Sequence, residues 1–166
     1  MATRTWNSSG STDMNLSTNY SGSGALLTTD DLVFNGTSVI NAVASATLSV
    51  KTLTIAAAYT GKWDLNSQSL TVANGFSDDG VCIIGNAHNY AGNLTVSGDG
   101  DFHFNPTFAF SISLNLDLQG TGNYDVIAGF RCNNLKLAYY VTIQQLLPGV
   151  MLVVDQVIYS QLMGVL

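Results

Sequence analysis

A short strand signal of the form aliphatic, polar, aliphatic recurs along this chain at intervals near twenty residues. It begins at Leu53-Thr54-Ile55 and returns at Leu70-Thr71-Val72, Leu94-Thr95-Val96, Leu114-Asn115-Leu116 and Leu135-Lys136-Leu137, with successive starts 17, 24, 20 and 21 residues apart. A fixed period of this size marks a chain built from stacked units. A second signal, a glycine followed by alternating residues, keeps the same time. It starts at Gly61, Gly80, Gly100 and Gly122, at steps of 19, 20 and 22 residues. Two strand signals within one period predict that each period is one coil of a solenoid.

Residues i and i+2 of a strand share a face. The expected inward columns are therefore Leu53, Leu70, Leu94, Leu114 and Leu135, and beside them Ile55, Val72, Val96, Leu116 and Leu137. Thr54, Thr71, Thr95, Asn115 and Lys136 point outward. No coil of this kind buries its apolar face alone, so the coils stabilise one another. All 11 acidic residues are Asp and none is Glu, a composition that favours turns over helices. The fold class expected is all-β: a single-stranded, right-handed parallel β-helix, the hand following from the rule for parallel crossovers. Residues 1–36 form an N-terminal arm and first strand, with Trp6 tying the arm down, 37–140 the coils, and 141–166 a non-repetitive apolar segment.

The opening of the chain carries a resemblance. Thr3-Arg4-Thr5-Trp6, Ser11-Thr12-Asp13-Met14-Asn15, Asn19-Tyr20-Ser21-Gly22 and Asp30-Asp31-Leu32-Val33-Phe34-Asn35-Gly36 resemble the start of β-helical proteins in tailed-phage structural modules and in bacterial surface adhesins. The stretch from Leu48 through Tyr59-Thr60-Gly61-Lys62-Trp63-Asp64-Leu65 to Val72 is similar to the coils that follow in them. The resemblance implies a non-enzymatic structural protein, such as a capsid decoration or fibre component. It would be displayed on the virion surface, docked through its ends on other virion proteins, and homo-oligomeric with a trimer favoured. A bacterial adhesin or carbohydrate-binding module is the alternative, and a polysaccharide lyase or hydrolase the second.

Charge and cysteine usage narrow the partners. Net charge is −6, and the five basic residues are scattered, so no clustered face for nucleic acid exists. Cys82 and Cys132 lack metal-ligand spacing and read as small core thiols, with their pairing left open. No apolar run is long enough to span a membrane, and Met1-Ala2-Thr3-Arg4-Thr5-Trp6-Asn7 lacks the core of an export signal. The expectation is synthesis in the host cytoplasm and display on the assembled particle. No cofactor or metal is expected, since Asp99-Gly100-Asp101 is a single fragment where calcium β-rolls need tandem repeats.

Candidate contacts follow from misplaced apolar residues. Val81 and Ile83 fall on outward positions and need a cover, either the arm or a neighbouring subunit. Leu146, Leu147, Val150, Met151, Leu152, Val153, Val154, Val157, Ile158 and Tyr159 surround a single charge, Asp155, and read as an oligomer interface or a cap, with interface favoured. Trp6 is a third contact. His88, Asn89 and Tyr90 sit in a longer inter-strand stretch, 85–93, that reads as a loop leaving the solenoid, with donors and an aromatic ring suited to glycan. Asp101, His103 and Asp125 should cluster across coils, although no arginine or lysine joins them to bind an acidic sugar.

Overall fold

The computed structural model describes residues 1–80, 88–97, 101–104, 114–119, 124–126, 131–137, 143–146 and 153–159. Its strands are β1 (Thr3–Thr5), β2 (Asp31–Phe34), β3 (Ala42–Val43), β4 (Leu48–Ile55), β5 (Trp63–Asp64), β6 (Ser69–Asp78) and β7 (Gly92–Val96). They continue as β8 (Asp101–Phe104), β9 (Leu114–Leu118), β10 (Tyr124–Val126), β11 (Arg131–Leu137), β12 (Ile143–Leu146) and β13 (Val153–Tyr159). Every pairing between them is parallel, and the chain is a parallel β-solenoid.

The pairings sort into three stacks. The first holds β3 and β5, extended by bridges at Asp13 and Asn89. The second holds the first half of β4, the first half of β6, then β7, β9, β11 and β13. The third holds β1, β2, the second halves of β4 and β6, then β8, β10 and β12. β4 and β6 thus turn a corner and serve two stacks each. At that corner β6 carries one residue more, Val72 to Gly75 against Val50 to Thr52, the extra residue of a bulge that bends a strand.

The interior is a set of apolar columns. Leu48, Leu70, Leu94, Leu116 and Leu135 stack in the second, with Val50, Val72, Val96 and Leu118 beside them, all buried. Leu32, Leu53, Phe76 and Phe102 stack in the third, where the Phe76 and Phe102 rings lie 5.4 Å apart and nearly parallel. Each fully buried side chain of this size contributes about 1.5–3 kcal/mol.

Two positions depart from the columns expected of the repeat. Leu53 lies over Phe76, and the partner of Leu70 is Leu48. Leu48-Ser49-Val50 and Leu53-Thr54-Ile55 carry the same alternation on either side of one corner. Leu116, not Leu114, pairs with Leu94, and Leu114 stands opposite Gly92. A slip of two residues keeps the same side chains inward, so alternation alone does not distinguish the registers. The glycine-led strands also divide, since Trp63–Asp64 belongs to the first stack and Asp101–Phe104 to the third, beneath Gly75–Asp78.

The N-terminal arm closes one end of the interior. Trp6, Met14 and Tyr20 are buried there, with the Trp6 ring 5.2 Å from Tyr20 and 5.5 Å from Phe34, and Trp6 Nε1 donating to the Ile40 carbonyl at 3.0 Å. Segment 19–21 runs antiparallel along the outer edge of residues 5–7: Asn7 N–H bonds Asn19 O at 2.9 Å and Ser21 N–H bonds Thr5 O at 2.8 Å. Arg4, inward in β1, pairs with buried Asp30 at 3.2 Å. Trp6 is therefore a core residue of its own chain, which corrects its assignment as a contact to another subunit.

Candidate functional site

Among the described residues, three places gather polar groups or open surface, and the first is sealed. Asp78 occupies an inward position of the third stack, in the column of Phe34, Ile55 and Phe104. A carboxylate there is costly unless it is satisfied. Its oxygens accept Gly80 N–H at 2.8 Å, His88 Nδ1 at 2.9 Å and the Tyr90 hydroxyl. A Cβ on Gly80 would lie 2.4 Å from His88 Cε1, so only glycine fits this turn.

His88 and Tyr90 reach this carboxylate because 88–90 is a further rung of the first stack. Asn89 N–H bonds Trp63 O and Leu65 N–H bonds Asn89 O, both at 2.8 Å. Alternation then sends His88 and Tyr90 inward, where each is 1% exposed, and leaves Asn89 to bond the Asp64 carboxylate at 2.9 Å. This corrects the reading of His88, Asn89 and Tyr90 as an exposed glycan surface. The signal that marks them is their place two residues apart, in step with Trp63 and Leu65.

The second place is the outer face of the third stack. Outward residues Thr54, Ser77 and His103 are successive register partners, and Asp125 takes the next register position. Beside them Gly75, the register partner of Thr52, carries no side chain, and a groove of about 390 Å³ is lined by Thr52, Thr54, Asn74, Ser77 and His103. His103 Nε2 lies 3.0 Å from Asp79 Oδ1, and Ser77 Oγ donates to Asp79 Oδ2 at 3.4 Å. Asp125 is the backbone register partner of His103, one coil away. Asp79 is the carboxylate that holds the imidazole. With hydroxyl, amide and imidazole groups and no arginine or lysine in its lining, the groove suits neutral polar ligands.

The third place is beside the N-terminal loop. Asn15, Leu16, Ser17, Ala25, Leu26 and Thr28 face Thr47, Leu48 and Ser49 across a space of about 460 Å³. Leu16 and Leu27 are about half exposed, at 46% and 52%.

Of the other expected contacts, Leu146 lies in β12, and Val153, Val154, Val157, Ile158 and Tyr159 lie in β13, paired to β11. Val81, Ile83, Leu147, Val150, Met151, Leu152 and Cys82 lie outside the described residues. Among the described residues no three His, Cys, Asp or Glu side chains form a metal-sized group, and no helix is long and apolar enough to cross a membrane. No protein-family model, curated protein or solved structure matches this chain.

Proposed function

We propose that this chain is a non-enzymatic structural component of a tailed-phage particle, of the capsid decoration or fibre kind, that turns its coil faces outward and docks on neighbouring subunits. The observation that carries the reading is the division of polar groups between inside and outside. The buried acid and imidazole, Asp78 and His88, are locked together in the core, out of reach of any substrate. The outer faces are short polar ladders, such as Ser69, Asn93 and Asn115, whose side chains bond one another from coil to coil at 3.1 and 2.9 Å. Such a surface is suited to standing in solvent on a rigid scaffold. The likeness of the opening residues to phage and adhesin β-helices supports the same reading.

The test is mass spectrometry of particles banded by density from a lysate of the strain that encodes the chain. A fixed copy number per particle is expected. Absence from intact particles, with the chain recovered in the bacterial envelope, would reject the reading in favour of an adhesin. The groove over Gly75 favours that second reading, because its hydroxyl and amide groups match the donors and acceptors of a neutral glycan.

A further inference from the structure

The second stack begins one coil later than its neighbours. Ahead of β4, the first stack has the bridge at Asp13 and the third has β2, whereas the segment between them, residues 14–30, places no strand against Leu48–Val50. The space of about 460 Å³ lies where that strand would run.

The backbone that faces this space can be identified. Along a strand the N–H and C=O of one residue leave on the same edge, and the edge alternates from residue to residue. Lys51 N–H donates to the Asp30 carbonyl at 2.9 Å, so residue 51 turns its polar groups toward the N-terminal loop. Ser49, two residues earlier, turns the same way. Among the described residues no backbone or side-chain hydrogen bond joins Ser49 N–H or C=O to residues 1–30. β4 alternates regularly from Leu48 to Lys51 and breaks its alternation only at Thr52. A donor and an acceptor on one strand edge, spaced for a parallel neighbour, therefore open into a groove rimmed by half-exposed Leu16.

We propose that this missing rung is an acceptor site for an extended peptide segment of a neighbouring protein, running parallel to β4 and bonding Ser49 through its main chain. An aliphatic, polar, aliphatic tripeptide fits best. The carbonyl of its first residue and the amide of its third meet Ser49 as in every other rung of the stack, and an apolar side chain beside them covers half-exposed Leu16. That is strand addition to a sheet edge, with main-chain bonds for affinity and side chains for selectivity. The inference rests on the docking role proposed above but names a different event, so the two fail separately: the chain can belong to a particle while this groove binds nothing.

The probe is a capped peptide of the chain's own rung, residues 93–97, Asn-Leu-Thr-Val-Ser, titrated into the isotope-labelled full chain and followed by amide chemical shifts. Saturable shifts centred on Ser49 and Leu16 are expected. A control peptide with proline in place of its valine, lacking the N–H that turns to the Ser49 carbonyl, should bind at least tenfold more weakly. The exposed rim substitution Leu16→Asp should weaken the first peptide by a similar factor while leaving the rest of the spectrum unchanged. Absence of shifts at Ser49 up to millimolar peptide, or equal binding of the proline peptide, overturns the proposal.

Discussion

Replacing Asp78 tests whether the sealed polar cluster is a structural keystone or an incidental packing of polar side chains. In Asp78→Ala the Gly80 N–H, His88 Nδ1 and Tyr90 hydroxyl all lose their shared carboxylate in a buried setting. Each buried polar group left without its partner costs about 1–3 kcal/mol. With partial relaxation the sum is about 3–6 kcal/mol, a large share of the 5–15 kcal/mol that holds a typical domain together. Asp78→Asn keeps an acceptor for Gly80 and a polar group for the two rings, and should lose about 1–3 kcal/mol. Asp78→Leu is the discriminating variant. It restores apolar continuity with Ile55 and Phe104 but still takes the shared carboxylate from the three groups, so it should be at least as unstable as Asp78→Ala. Urea unfolding followed by tryptophan fluorescence reads all three, because Trp63 lies 5.0 Å from the Tyr90 ring. Recovery of wild-type stability in Asp78→Leu, or a loss below about 1 kcal/mol in Asp78→Ala, would refute the reasoning.

Other substitutions bear on the cap and the outer face. Trp6→Ala removes the largest side chain of the N-terminal closure and should cost about 3–5 kcal/mol in the same unfolding experiment, while Trp6→Phe keeps most of the packing. At Asp30, burial opposes ionisation, but the N–H groups of Leu27 and Ala2 and the Arg4 guanidinium outweigh it and hold the carboxyl below its usual range. Its folded value lies below the unfolded one, so its contribution is full above about pH 4 and is lost as the pH falls through the folded value. Asp30→Asn should flatten the acid limb of a stability profile and, by leaving Arg4 buried without its carboxylate, lower the neutral plateau by about 3–5 kcal/mol. Asp79→Asn breaks a pair in which His103 and Asp79 are 28% and 39% exposed, and should change stability by less than about 1 kcal/mol.

The rungs were legible because inward Leu and Val alternate with outward Thr and Asn, and burial on one side of a stacked strand demands that pattern. Corners were not legible. Leu48-Ser49-Val50 and Leu53-Thr54-Ile55 satisfy the same alternation, and only the spatial bend of β4 assigns them to different stacks. The slip at Leu114 has a similar origin, since a shift of two residues leaves the buried side chains unchanged. The polar cluster escaped for the opposite reason. Asp78, His88 and Tyr90 break the apolar rule of their columns, and what makes them tolerable is their meeting across two stacks, which no local window reveals. The missing rung beside Ser49 is likewise an absence in one stack, visible only once the other two have been counted.

The central structural claim is a single solenoid of three parallel stacks, one of which starts a coil late, and amide hydrogen exchange of the free full chain tests it most directly. Ser49 and Thr71 are register partners in adjacent rungs. By the alternation of edges Thr71 turns its N–H to β4, while Ser49 turns its own to the open groove. Fast exchange at Ser49 beside slow exchange at Thr71 is the expected result. Equal protection at both residues would contradict the account, because it would require a strand already in place where the second stack is described as open.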